Sequence, residues 1–393
     1  MRTLLKAVPL AVAAFLIDAP PAPAGDGLAL TPPMGWNSWN KFACDVSETL
    51  IKETADAIVS SGMKAAGYEY VVIDDCWQVD RNGDGRIVAD AERFPSGMKA
   101  LADYVHSKGL KLGIYSDAGT GTCQGRPGSK GFETIDASTY AEWGVDYLKY
   151  DWCNTEGQDT RHAYALMSQS LRAAGRPIVF SICEWGSSQP WLWAQGIGHL
   201  WRATGDIQDC WDCGRGWGGM GVVHIIDLMA DLHPYSGPGG WNDPDMLEVG
   251  NGGLSPTEAR AHFSFWALFS APLMAGNDVR SMSEETLAIL TNAEVIAVDQ
   301  DPLGIQGRKV WDRGPQEVWM KPLADGSRAV ILFNRGTEPS RIAARWGDIG
   351  IFPGDRAAVQ DLWKGTDVGT FETEYVATVE PHGVAMVRIT PVF

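Results

Sequence analysis

Tyr147-Leu148-Lys149-Tyr150-Asp151-Trp152-Cys153 decides how the rest of the chain is read. A short run alternates as a strand does and stops at charge, so Asp151 falls where a buried strand surfaces into a pocket. A carboxylate in that position is a candidate nucleophile. Lys149, two residues earlier, lies on the same face of the strand and is expected to favour the ionised form of Asp151.

The pattern repeats on both sides. Upstream, Met34-Gly35-Trp36-Asn37-Ser38-Trp39 is the first such end, residues 70–73 run into Asp74-Asp75-Cys76-Trp77, and residues 110–115 run into Ser116-Asp117. Downstream, residues 178–182 end in Cys183-Glu184-Trp185 and residues 199–202 end before Ala203-Thr204-Gly205-Asp206. Gly240-Trp241 precedes Asn242-Asp243-Pro244-Asp245-Met246, and Leu273-Met274 precedes Asn277-Asp278. Amphipathic stretches separate these ends; one is capped by Ser47, with Leu50, Ile51, Ala55, Ile58 and Val59 at helical spacing. Strands alternating with helices predict a parallel sheet, and eight units over residues 25–303 predict a (β/α)8 TIM barrel with its site at the strand C-termini. An open doubly wound sheet needs a glycine-rich phosphate turn after the first strand, and Pro32-Pro33-Met34-Gly35-Trp36 is not one. From residue 304 the rhythm changes to short β-rich runs at 318–320, 329–333, 341–346 and 384–389, divided by Gly, Pro and Asp. A small C-terminal antiparallel β-sandwich domain is expected over residues 304–393.

The N-terminus carries Arg2 and Lys6, an apolar stretch over residues 7–17, and Ala22-Pro23-Ala24. That is the layout of a secretory leader over residues 1–24, and the apolar run is shorter than the roughly 18 residues that a membrane span needs. Secretion or periplasmic export follows as an expectation. The net charge is −17, and loss of the leader, which carries a net +1, leaves −18. Such a field repels phosphate backbones and anionic lipids, which argues against nucleic-acid and membrane partners and for a neutral substrate.

Seven cysteines in an exported chain predict disulfides with one thiol left over. Cys210-Trp211-Asp212-Cys213 reads as a local disulfide rather than a redox pair. No histidine falls in a zinc-ligand array, and no metal or organic cofactor is expected. Residues 80–87 match the first eight positions of a calcium loop, but the twelfth position is Ala91, so a polar turn is the better reading.

A single carboxylate at a strand end usually caps a loop. Asp74, Asp75, Asp151, Asp206 and Asp245 converging on one barrel mouth change that reading, because glycoside hydrolysis needs two carboxylates flanking a neutral bond. Arg202 fits either an ion pair with Asp206 or a substrate clamp. Trp36, Trp77, Tyr115, Trp152 and Trp185 gather at the same ends, where they either pack the core or stack on sugar rings.

Taken together, the motifs at residues 34–39, 74–77, 112–117, 149–153, 202–206 and 241–246 make the chain resemble glycoside hydrolase family 27, the α-galactosidase family. The resemblance implies a retaining reaction with Asp151 as nucleophile and Asp206 as acid and base. It implies sugar contacts at Trp36, Asp74, Asp75, Tyr115, Lys149, Cys183, Trp185, Arg202 and Asp245, and disulfides joining Cys44 to Cys76 and Cys123 to Cys153. Cys183 is then expected to be the free thiol. Relatives acting on β-L-arabinopyranosides or α-N-acetylgalactosaminides are the alternatives within the family, and a sugar-binding protein without hydrolysis is the alternative outside it.

Overall fold

The computed structural model describes residues 26–215 and 219–392. The expected leader, residues 1–24, lies outside the described residues. Eight parallel strands curl into one sheet: Met34–Asn37, Tyr70–Ile73, Lys111–Asp117, Tyr147–Asp151, Val179–Ile182, Leu200–Arg202, Trp241–Asp243 and Leu273–Ala275. The first seven strands pair with their neighbours in chain order, and the eighth pairs back onto the first through Met34 with Leu273 and Trp36 with Ala275. Between the seventh and eighth strands the ladder is interrupted, because Pro244 has no N–H to give and Asp245 turns with φ 82°. Pairing resumes one step on, where Leu247 donates to Met274 at 2.8 Å and accepts from Gly276 at 3.0 Å. That bridge closes the barrel.

Alternation along the strands divides the side chains between two environments. Tyr70, Val72, Tyr147, Val179, Leu200, Trp241 and Met274 form a cluster inside the barrel. Val71, Ile73, Leu112, Ile114, Leu148 and Phe180 face outward into a cluster shared with the helices. Helix Glu48–Ser60 starts as the sequence indicates, with the Ser47 hydroxyl accepting from Leu50 N at 3.2 Å.

After the barrel, a six-stranded antiparallel sheet runs in the order Arg308–Arg313, Gln316–Pro322, Arg328–Asn334, Val384–Val392, Arg356–Asp361, Thr366–Phe371. The antiparallel pair Ser340–Arg345 and Glu374–Val379 completes the sandwich, whose own core includes Val318, Val330, Leu332, Ile342, Trp346 and Ile389. The other face of the sheet carries Trp319, Ile331 and Phe333 into the barrel's cluster. Trp319 meets Phe265 of helix Pro256–Leu268 edge-on at 5.3 Å. Residues 80–87 fall in a short hairpin whose turn joins Gln78–Arg81 to Ile87–Ala89. There Asn82 Oδ1 accepts from Asp84 N and Arg86 N, and Arg81 reaches Asp136 at 2.7 Å.

Candidate active site

The C-terminal ends of the barrel strands open into a cavity of about 570 Å³ lined by Asp74, Asp75, Tyr115, Lys149, Asp151, Cys183, Trp185, Arg202, Asp206 and Asp245, among others. Ten of the eleven residues expected to act or bind there are thus brought together. Trp36 is not. It is fully buried among the helix-facing side chains, packs against Phe42 at 6.0 Å and donates its indole N–H to the Asn277 carbonyl at 2.7 Å. Its neighbour Asn37 faces inward instead, donating to Asp74 Oδ2 at 2.8 Å, so strand parity turns Trp36 away. The chain then leaves the strand into the short helix Trp39–Phe42, and Trp39 is the tryptophan of that motif which lines the cavity. Trp77 is likewise buried, bonded to the Tyr115 carbonyl, and Trp152 stacks on Tyr164 at 5.5 Å; both pack the fold.

Asp151 is 6% exposed, and both of its oxygens are held. Oδ2 accepts from the Tyr115 hydroxyl at 2.8 Å and Oδ1 from Trp152 N at 3.0 Å. Burial pushes its carboxyl up to about 6, and the nearby Asp206 and Asp74 add to the rise. Lys149 and the Tyr115 hydrogen bond pull the other way, as expected of that lysine, but burial is the larger effect. Lys149 itself spends its hydrogen bond on Asp74, at 2.8 Å. Burial alone would lower its pKa; the carboxylates around it, Asp74 foremost, outweigh that and raise it.

Asp74 and Asp75 sit in a tight turn. Asp74 Oδ1 accepts from Asp75 N at 2.9 Å, and Asp75 Oδ2 accepts from Gln124 N at 3.1 Å. Burial raises the Asp75 carboxyl above its ordinary range. Across the cavity, Arg202 pairs in both directions and also lines the wall. Its Nη2 lies 2.9 Å from Asp206 Oδ1 and 3.0 Å from Asp245 Oδ2. Its Nη1 lies 3.7 Å from Cys183 Sγ. Asp206 is unlike Asp151, with a side chain 53% exposed on the loop after the sixth strand. Trp185, half-buried on the wall, holds φ 57°, a conformation bulky residues rarely adopt and one that concentrates at functional sites.

Cys44 is bonded to Cys76, Cys123 to Cys153, and Cys210 to Cys213, leaving Cys183 as the buried free thiol. Burial pushes that thiol's pKa well up, so it presents a neutral S–H to the cavity. Among the described residues one grouping has metal-ligand character, Asp117 with Cys123 and Cys153, but those two sulfurs are bonded to each other. The sequence reading missed Trp39, Asn40, Glu248 and Asn251, which also line the cavity. Glu248 is 3% exposed, accepts from Asn40 and Asn251 at 2.5 Å each, and is pushed up to about 7 by burial. A glutamate inside Met246-Leu247-Glu248-Val249, an otherwise apolar run, was the available signal.

One buried carboxylate fixed on a strand and a second, solvent-reached carboxylate facing the same cavity are what cleavage of a glycosidic bond asks of a barrel mouth, and the protein is a glycoside hydrolase. Residues 31–301 match the family model described as alpha galactosidase A, and residues 313–389 match that of the alpha galactosidase C-terminal beta sandwich domain. The chain belongs to the alpha-galactosidase A family. It is 53% identical over 377 residues to alpha-galactosidase A of Cellvibrio japonicus, covering 93% of each chain. The crystal structure of alpha-galactosidase I from Mortierella vinacea superposes with a TM-score of 0.91 at 41% identity, covering 93% of this chain and 98% of that one. The Saccharomyces cerevisiae alpha-galactosidase solved with raffinose gives a TM-score of 0.91 at 33% identity, covering 94% and 100%.

Proposed function

We propose that the protein is an exported, retaining exo-α-galactosidase that removes terminal α-linked D-galactose from galacto-oligosaccharides or galactomannan side chains. Residues 25–303 form its catalytic unit and residues 304–393 an accessory unit. The observation that carries the reading is the unlike setting of two carboxylates on one cavity, Asp151 buried with both oxygens held and Asp206 half exposed beside Arg202. Asp151 attacks the anomeric carbon while Asp206 gives its proton to the glycosidic oxygen, which leaves with the aglycone. Asp206, now a carboxylate beside Arg202, then takes a proton from the water that displaces Asp151. Two displacements return the sugar in its starting anomeric configuration.

In this reading Asp74, Asp75, Lys149, Tyr115, Cys183, Trp185, Arg202 and Asp245 contact the sugar, with Trp39 in the place expected of Trp36. Two short aspartates at residues 74 and 75 leave room and acceptors for the galactose hydroxymethyl, which favours galactose over L-arabinopyranose. Trp185 leaves little room for an N-acetyl group at carbon 2. Disulfides fit an oxidising compartment and hence export of the chain behind residues 1–24. Proton NMR of nitrophenyl α-galactoside hydrolysis tests the reading: α-galactose is expected as the first sugar formed. Appearance of β-galactose first would mean inversion, and preference for an arabinopyranoside or N-acetylgalactosaminide in a nitrophenyl panel would refute the specificity.

A further inference from the structure

The loop that carries Asp206 is also gripped by the C-terminal domain. From Asp206 the chain passes Ile207, Gln208 and Asp209 on the cavity wall and reaches Cys210, which the disulfide to Cys213 closes into a short turn. Trp211, inside that turn, is 7% exposed, stacks on the His382 ring at 5.5 Å and 17°, and meets Phe333 edge-on at 6.0 Å. His382 belongs to the turn before the last strand of the C-terminal sheet, and its Nδ1 lies 2.7 Å from Glu258 Oε1 in the capping box of helix Pro256–Leu268. The returning chain is tied to the outgoing one: Met220 N donates to the Asp206 carbonyl at 2.8 Å, and Val223 N to the Trp211 carbonyl at 3.0 Å. Asp209 Oδ2 accepts from Gly253 N at 2.7 Å.

We infer that Trp211 is a positioning residue, and that its stack on His382 uses the C-terminal domain to fix the backbone from which Asp206 reaches the leaving-group oxygen. The inference rests on the proposed role of Asp206 as acid. Arg202 restrains one oxygen of a carboxylate that is otherwise half in solvent, so backbone placement must come from the loop. Proton transfer requires hydrogen-bond reach, and small misplacements are costly. Asp151 sits on a paired barrel strand and does not depend on this loop. Loosening the stack should therefore impair protonation of the leaving group and leave nucleophilic attack intact.

The test compares kcat/KM of the full-length protein on a dinitrophenyl α-galactoside, whose leaving group needs little protonation, and on methyl α-galactoside, whose leaving group needs much. Trp211→Ala should lose roughly 10- to 100-fold on the methyl glycoside and less than about 3-fold on the dinitrophenyl one, while Trp211→Phe recovers most of the loss. His382→Asn removes the stacking ring while keeping Trp211 itself in place, and asparagine tolerates the φ of 57° found there. It should show the same selective loss, so the inference stays testable even where Trp211→Ala does not fold. Equal losses on both substrates, or no loss in either variant, would overturn the positioning role. Asp206→Ala is measured alongside. A selective loss there with flat Trp211 and His382 variants overturns this inference alone, whereas a flat Asp206→Ala profile overturns the acid assignment and the inference with it.

Discussion

The proposed mechanism asks Asp151 to be an anion in a place that resists anions. Burial holds its carboxyl near 6, so the free enzyme should lose kcat/KM as pH falls through about 6, a limb that Asp151→Asn cannot be used to follow because the amide has no attacking oxygen. The same shift makes a stability prediction. A carboxyl whose folded pKa lies above its ordinary 3.8 opposes folding progressively as pH rises from about 4 to above 6, and a rise to about 6 corresponds to roughly 3 kcal/mol. Asp151→Asn should therefore be inactive yet more stable at pH 7, with the gain vanishing near pH 4; denaturant melts at the two pH values would expose a gain that does not depend on pH. Specificity is also a residue-scale matter. If Asp75 contacts the sugar as proposed, Asp75→Glu adds one methylene beside carbon 6, and the ratio of kcat/KM for galactoside over arabinopyranoside should fall by about 10-fold or more, an effect of 1 to 3 kcal/mol. An unchanged ratio would show that this carboxylate does not read carbon 6. Most of these residues were legible because carboxylates at several strand ends of a barrel meet at one mouth, although each alone would read as a loop cap. Trp36 misled for a definite reason: Gly35 has no side chain to mark parity, and two tryptophans three apart straddle the point where strand becomes helix. The Asn37 to Asp74 bond, with Trp36 packed on Phe42 behind the strand, reveals which face is inside.

At the scale of elements, the strands were readable and the loops that shape the cavity were not. Parallel strands buried on both faces appear as apolar runs with abrupt ends, and all eight expected ends coincide with barrel strands. The C-terminal strands Arg308–Arg313, Arg356–Asp361, Thr366–Phe371 and Glu374–Val379 escaped notice because half-exposed strands of mixed polarity carry little periodic signal. Glu248 and Asn251 escaped because loop conformation brings them to the cavity. One loop contact makes a sharp prediction. Gly119, after the third strand, lies against the loop after the fourth so closely that an added Cβ would fall 1.9 Å from the Cys153 carbonyl oxygen. The Cys123 to Cys153 disulfide ties the same two loops together. Gly119→Ala must push apart the segment that follows Asp151, and should cost roughly 1 to 3 kcal/mol or more along with activity. A variant with unchanged melting temperature and full kcat would show that these loops yield more easily than their packing implies.

For the whole molecule, the question is whether barrel and sandwich behave as one body. Lys321, fully buried on the sandwich strand Gln316–Pro322, crosses to the barrel side and donates to Ser270 Oγ at 2.6 Å, to the Ala267 carbonyl at 3.5 Å, and to the Val298 carbonyl. Lys321→Met leaves buried acceptors without a donor, at about 1 to 3 kcal/mol for each one left unpaired, so both domains should lose stability together in a single denaturant transition. Two separate transitions, with only the later one moved, would contradict that coupling. The lysine was invisible in the sequence, because nothing in Trp319-Met320-Lys321-Pro322 announces that a cation on a strand faces another domain. The reaction the whole assembly is built for can be tested in one measurement: incubation with a fluorinated galactosyl donor that forms the glycosyl-enzyme quickly and releases it slowly, followed by peptide mass spectrometry. A single galactosyl ester on Asp151 is the predicted result. No adduct, or an adduct on any other carboxylate, would contradict the account.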